Sequence, residues 1–347
     1  MRDDLGITTR IENGKAYLEF TLPEKLREGD ACGGRLRIVI REAGDGRQIF
    51  CGEYDPGELE PMTALVLRPH LWNGMRDPYL YEVEACGNFR VDDALTQLWW
   101  RQKLAIYDLR VIEKKGIFLN DAELPLHVVE YHLPWESGNA DQREEDGGWD
   151  PEMVTQDLEL LACMGANALL VREEPDCSQM RFFHQICLER GFLTGNRWIT
   201  EEKIPVYRGY PRSSGCPGET VREETATAQS PEELLAPDGR TLTENYYRYQ
   251  AKWGTQPVLC PALSTLHRQP DGMLALTVYS NQKKVALYIE GVLFLFQSGG
   301  PEYIFEDIPV AKLPLRLALE AGNLNTALTI SRIPSGSHNF HKEITFS

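Results

Sequence analysis

Asp157-Leu-Glu-Leu-Leu-Ala-Cys-Met-Gly-Ala-Asn-Ala-Leu-Leu-Val171 decides the fold. Its first half has helical spacing, its second half is a short apolar run, and Gly165 separates them. Upstream, Pro151 takes a first helical position after Asp150, an N-cap type, so Met153, Leu158, Leu161 and Met164 fall near one face of a helix over 151–164. Gly165 ends that helix and Asn167–Val171 reads as a strand. Leu126-His-Val-Val-Glu130 is a strand before it. Beyond it, Ser178–Arg190 is a second helix closed by Gly191, and Phe192-Leu-Thr194 opens a third strand. Strand, helix, strand, helix, strand with short links predicts a parallel βα arrangement with right-handed crossovers.

On either side the texture is β alone. Ala16–Phe20, Leu36–Ile40, Ala64–Leu67 and Leu80–Glu84 are short strands, several alternating apolar and polar residues, and Glu42-Ala-Gly-Asp-Gly46 is hairpin-like. An antiparallel sandwich follows. Residues 200–241, rich in Pro, Gly, Ser, Thr and Glu, read as a long loop, and no strand-like segment is recognised between 200 and 245. An amphipathic helix spans Leu242–Trp253, with Tyr246, Tyr249 and Trp253 near one side. After Pro257 the strands Leu274–Tyr279, Val285–Ile289, Leu315–Leu319 and Leu324–Ile330 form a second, smaller sandwich. The division is therefore 1–112, 113–258 and 259–347: multidomain β plus α/β.

Composition narrows the function. At 42% hydrophobic and 25% charged, the 347 residues suit a folded chain of two or three domains. A formal charge of −16 without Lys/Arg runs argues against nucleic acid. No apolar run reaches membrane-spanning length and the charged start lacks a signal-peptide core, so the expected place is the cytoplasm, with no membrane partner. The eight cysteines lack Cys-x-x-Cys spacing, which predicts reduced, mostly buried thiols and no metal site; no cofactor motif stands out either. Gly147-Gly148 and Gly299-Gly300 lack the context of a phosphate loop and read as turns.

Four local stretches, in order, resemble glycoside hydrolase family 2. Trp72-Asn-Gly-Met-Arg-Asp-Pro-Tyr-Leu-Tyr81 is similar to the Trp…Pro-x-Leu-Tyr signature of that family's immunoglobulin-like domain. Gly116-Ile-Phe-Leu-Asn120 resembles its barrel entry, and Leu126–His132 its first barrel strand, ending in histidine. Asp157–Ala168 is similar to its Asp-x-x-x-Met-Lys-x-Met-Gly-Ala-Asn-Ala helix and second strand. Tyr246–Trp253, Pro257-Val258, Val278–Asn281 and Val285–Gly291 resemble the passage into its next β domain. The resemblance implies an immunoglobulin-like β-sandwich, an incomplete TIM-barrel-like βα domain and a second small immunoglobulin-like β-sandwich. Residues 113–258 fall well short of the roughly 250 of a complete (β/α)8 barrel.

It also implies what to look for. Retaining glycoside hydrolysis needs two carboxyl groups about 5 to 5.5 Å apart. In the family the acid/base glutamate follows an asparagine, and this sequence contains no Asn-Glu pair. Where members have Asn-Ala-Ile-Arg-Thr-Ser-His-Tyr-Pro, this chain has Asn167-Ala-Leu-Leu-Val-Arg-Glu-Glu-Pro175, with Leu170 at the arginine and Glu173 at the histidine position. The expectation is a non-catalytic carbohydrate-binding or accessory protein. One alternative is an active glycosidase with carboxylates relocated to Glu130, Glu173 or the loop at Glu201 and Glu202. Another is a structural partner of a full-length hydrolase. His132 is a candidate hydroxyl-binding residue, or a histidine satisfied inside a loop. Trp135, Trp149 and Trp198 are candidate sugar platforms, or covers for an open core. Glu130, Glu173 and Glu174 are a candidate acid set, or a solvated rim. Trp99-Trp100 and the Tyr246, Tyr247, Tyr249 cluster read as domain packing. The exposed edge of a partial barrel would suit a homodimer or a hydrolase partner.

Overall fold

The computed structural model describes residues 5–22, 32–55, 62–91, 94–112, 115–133, 151–171, 178–195, 204–208, 232–236, 238–332 and 344–346. The chain is mostly β. Among the described residues the α-helices are α1 (Pro151–Met164), α2 (Ser178–Glu189) and α3 (Glu244–Trp253). Two compact units form: Met1–Leu126 with Glu173–Thr194, and His127–Arg172 with Gly195–Ser347.

The first unit holds β1 (Gly6–Glu12), β2 (Lys15–Thr21), β3 (Cys32–Glu42), β4 (Gln48–Tyr54), β5 (Met62–Leu67), β6 (Tyr81–Val91) and β7 (Ala94–Leu104). They make a three-stranded sheet, β1-β2-β5, and a four-stranded one, β4-β3-β6-β7. Period two explains the interior: Ala16, Leu18 and Phe20 of β2 face Met62, Ala64 and Val66 of β5 and join Leu36, Ile38, Ile40, Tyr81 and Val83 in one core. Asn13 and Gly14, both at positive φ, turn β1 into β2. A small sheet, β8 (Leu109–Ile112), β9 (Gly116–Leu119) and β10 (Ala122–Glu123), follows. Trp72 is fully buried. Its indole N–H donates to the Leu188 carbonyl of α2 at 2.9 Å, and its own carbonyl accepts from Asn120 Nδ2 at 2.9 Å. Trp100 packs against the first core, but Trp99 is 69% exposed, so the packing role read for it does not hold.

The second unit begins with β11 (Val128–His132), β12 (Ala168–Leu170), the end of β13 (Leu193–Gly195) and β14 (Val206–Arg208), in the order β13-β12-β11-β14. Both β12 and β14 run parallel to β11. Among the described residues this sheet is open and does not close into a barrel. β14 also corrects the reading of 200–245 as strandless. The segment is three residues long and follows Pro205, too short for its alternation to show. On α1 the buried stripe is Val154, Asp157, Leu158, Leu161 and Met164, with Val154 in the place expected for Met153.

Next come β15 (Leu259–Arg268), β16 (Leu274–Ser280), β17 (Lys284–Ile289), β18 (Val292–Ser298), β19 (Glu302–Ile308), β20 (Leu315–Ala321), β21 (Leu324–Ile330) and β22 (Ile344–Phe346). They form sheets β15-β16-β19 and β18-β17-β20-β21-β22 around Leu276, Val278, Leu287, Phe305, Leu317 and Leu319. Asn281 ties the end of α3 to this sandwich. Its Nδ2 donates to the Gly254 and Gln256 carbonyls at 3.2 and 2.7 Å, and its Oδ1 accepts from Val258 N at 3.1 Å.

The Gly-Ala-Asn-Ala stretch is locked in the same way. Asn167 Oδ1 accepts from His127 N at 2.8 Å, and the His127 ring stacks on Trp253 with centroids 5.0 Å apart. Gly165 sits at φ +98, and a Cβ there would meet the Trp253 backbone at 2.5 Å. Gly165→Ala should therefore cost at least about 2 kcal/mol, read as a lowered midpoint in urea unfolding. An unchanged midpoint would show that the turn after α1 relaxes freely.

Candidate functional site

The sheet of the second unit has two chemically distinct faces, set by alternation along β11. Val129 and Tyr131 are buried on one side. The Tyr131 and Tyr207 rings stack with centroids 5.6 Å apart, and both hydroxyls donate to Asp157 of α1, at 2.7 and 2.5 Å. Helix α1 thus covers this face. Burial raises the Asp157 carboxyl pKa, partly offset by the two tyrosine bonds. Burial and the neighbouring Asp157 charge in turn push the Tyr207 hydroxyl up.

Glu130 and His132 project from the other side, and the parallel register sets His132 opposite Arg208. His132 Nε2 lies 3.3 Å from Glu130 Oε1. Beyond β14, Val206 forms a parallel bridge with Glu233, whose Oε1 lies 3.3 Å from Arg208 Nε. The Glu130 and Glu233 side chains are 13% and 17% exposed, against 59% for Arg208. Burial raises the Glu233 pKa; Arg208 and then His132 oppose this, and the Glu130 charge adds to it. The four groups therefore sense one another. The Glu233 carbonyl is held by Thr243 Oγ1 at 2.7 Å and Asn245 Nδ2 at 3.2 Å, from the start of α3.

Strand order locates this cluster. From β11 the chain moves out through β12 to β13, then returns to the opposite side of β11 for β14 and Glu233. The reversal lies between β11 and β14, and in open α/β sheets ligands lodge outside the strands' carboxyl ends at such a point. His132 and Arg208 are the last residues of β11 and β14, and Glu130 lies two residues before His132 on the same face.

Of the residues singled out from sequence, Glu130 and His132 come together here. Trp135, Trp149, Glu173, Glu174, Trp198, Glu201 and Glu202 lie outside the described residues. Arg208 and Glu233 were missed. Neither had a signal in the sequence, since three residues of strand and one bridging residue leave no period. Elsewhere, a depression on the C-terminal sandwich is lined by Gly291, Arg316, Ala318, Ala327 and Thr329 and gathers no comparable polar set. Of the described cysteines, Cys51, Cys86 and Cys163 are exposed, which corrects the expectation of mostly buried thiols. Among the described residues no His/Cys/Asp/Glu group could hold a metal, and no helix is long and apolar enough to cross a membrane.

Comparison with known proteins gives β-glucuronidases both by sequence and by fold. A β-glucuronidase of Bacteroides fragilis is 26% identical over 178 residues, 49% of this chain and 23% of that protein. The FMN-binding β-glucuronidase of Faecalibacterium prausnitzii L2-6 superposes with a TM-score of 0.65 at 14% identity, over 96% of this chain and 75% of that one. The chain is glycoside hydrolase family 2-like. Bacteroides uniformis β-glucuronidase gives a TM-score of 0.58 at 15% identity, over 95% and 61% of the two chains. A candidate β-galactosidase of Bacteroides fragilis gives 0.57 at 14%, over 100% and 72%. No family model matches. The match to the curated relative spans less than a quarter of that protein's length.

Asp157 provides a test of how the sheet is held. Its raised folded pKa means that the protonated form's contribution is complete below the unfolded value near 3.8 and is lost as pH rises through the folded value. Asp157→Asn should therefore gain on the wild type across that window in pH-dependent urea unfolding. Asp157→Ala should lose roughly 2 to 4 kcal/mol at neutral pH by stripping both tyrosine hydroxyls of their acceptor. Parallel pH profiles for Asp157→Asn and wild type would refute the assignment.

Proposed function

We propose that this chain binds a carbohydrate at the carboxyl end of its open parallel sheet and does not carry out the retaining hydrolysis of the enzymes it resembles. One observation carries the reading: Glu130 and Glu233, the carboxylates of the cluster, each lie 3.3 Å from a basic side chain, His132 and Arg208 respectively. A retaining mechanism needs one carboxylate free to attack the sugar. Alternating carboxylates, imidazole and guanidinium instead offer acceptors and donors to hydroxyl groups, and Arg208 is the exposed member. Leu170 and Glu173, at the family's arginine and histidine positions, support the same reading. With α1 on one face and the polar row on the other, the sheet fits a segment of a barrel wall. The proposal keeps a division into 1–112, 113–258 and 259–347, with the middle part read as an incomplete barrel.

A second reading, hydrolysis by Glu130 and Glu233, draws on a different observation. Burial and the Glu130 charge raise the Glu233 carboxyl, the direction a general acid requires.

The names of the similar proteins make β-glucuronides and β-galactosides the first ligands to try. A bound sugar should raise Tm by a few degrees, and Arg208→Ala should abolish that rise. Chromogenic β-glucuronides and β-galactosides should show no turnover above background. Turnover lost in both Glu130→Gln and Glu233→Gln would replace the binding reading with the hydrolytic one.

A further inference from the structure

Strand β18 departs from every rule that governs the other strands of its sandwich. Its sequence, Val292-Leu-Phe-Leu-Phe-Gln-Ser298, is apolar without alternation, and it stands at the end of its sheet. Val292 is 69% exposed, Leu293 50%, Phe294 37%, Leu295 42% and Phe296 58%, and Ile304 of β19 adds another 53%. The two strands adjoin, since Gln297 Nε2 donates to the Ile304 carbonyl at 2.5 Å. The exposed residues therefore make an apolar strip along the open edges of both sheets, with side chains on both faces of β18.

Aromatic side chains bury about 150 to 250 Å² each and aliphatic ones somewhat less, so the exposed fractions sum to roughly 500 Å² of apolar surface in water, at the upper end of what a monomer tolerates. Two copies that pair edge to edge, so that side chains on both faces of β18 meet their counterparts, remove up to about 1,000 Å², where specific interfaces begin. The strip has the features of a self-complementary surface. Val292–Ser298 carries no charge, although the chain as a whole stands at −16. Its border carries both signs: Lys284 lies 5.7 Å from the centre of the Phe296 ring, and exposed Glu306 sits two residues beyond Ile304 on β19. A twofold axis can thus bring unlike charges together at the rim while the apolar centre meets its copy. The register with β17 shifts between Leu287 and Tyr288, leaving Phe294 as a bulge. A bent, twisted edge is a poor template for repeated strand addition, which favours a closed pair over a fibre.

We propose that two copies of this chain associate through Val292–Phe296 and Ile304, forming an isologous dimer. Sedimentation velocity on the full chain over roughly 1 to 100 µM should show a reversible monomer–dimer equilibrium. Leu293→Lys with Phe296→Glu should leave a monomer with wild-type circular dichroism, whereas Trp99→Ser, at an exposed aromatic in the other unit, should leave association unchanged. Hydrogen exchange on the wild type needs no variant: amides of 292–298 should be better protected in concentrated than in dilute solution. A monomer throughout the range, open-ended aggregation, a dimer that survives the double substitution, or exchange at 292–298 independent of concentration would each overturn the proposal.

Discussion

The carboxylate of Asp157, set under the sheet of the second unit, accepts hydrogen bonds from Tyr131 of β11 and Tyr207 of β14, strands separated in sequence by most of the βα region. Parallel neighbours are not joined by a tight turn, so some other contact must fix their register. Stacked tyrosines ending on one shared acceptor do this: a slip of one residue in either strand would send its tyrosine hydroxyl to the opposite face and cost the buried carboxyl one of its two donors. The register that satisfies Asp157 also sets Glu130 and His132 opposite Val206 and Arg208 on the far side of the sheet. The candidate site thus depends on a carboxylate that takes no part in it.

The stretches that resemble family 2 enzymes prove to be contacts of the scaffold. Trp72 and Asn120, from two separate motifs, bond to each other, and Trp72 also caps the end of α2 through Leu188. Asn167 holds the backbone of His127, whose ring lies on Trp253; Asn281 holds the chain leaving α3. Each is an amide or indole that satisfies backbone groups in a buried junction, where substitution would strand a polar atom. Such residues serve the fold, whatever the chemistry at the strand ends. A scaffold held by a few such contacts accords with superposition over 96% of the chain at 14% identity. It also explains why the likeness carries the architecture further than it carries an activity.

The same contrast shows where the sequence was legible. Strands β2, β3, β5, β16, β17, β20 and β21 alternate over a half-buried surface, and α1 and α2 end on glycines, so both periods could be read directly. Strand β14 has three residues, and the Glu233 bridge has one; at that length pairing is decided by neighbours distant in the chain, and no local pattern records it. Strand β18 escaped for the opposite reason, because a continuous apolar run has no inner and outer set. Half of the charged cluster was visible, Glu130 and His132, because they end a strand that alternates. Its other half arrives through tertiary pairing alone.

A site assembled this way does not need a closed barrel. What concentrates side chains at the carboxyl end is the reversal of strand order between β11 and β14, the place where open α/β sheets hold ligands. Within it the charges are interlocked: Arg208 draws Glu233 toward ionisation while burial and Glu130 push it away. A ligand that displaces Arg208 from Glu233 must therefore offer an acceptor to the guanidinium and a donor to the carboxylate together, or leave one buried group unsatisfied. Adjacent hydroxyls of a sugar, each both donor and acceptor, meet that requirement without bringing a net charge into the cluster.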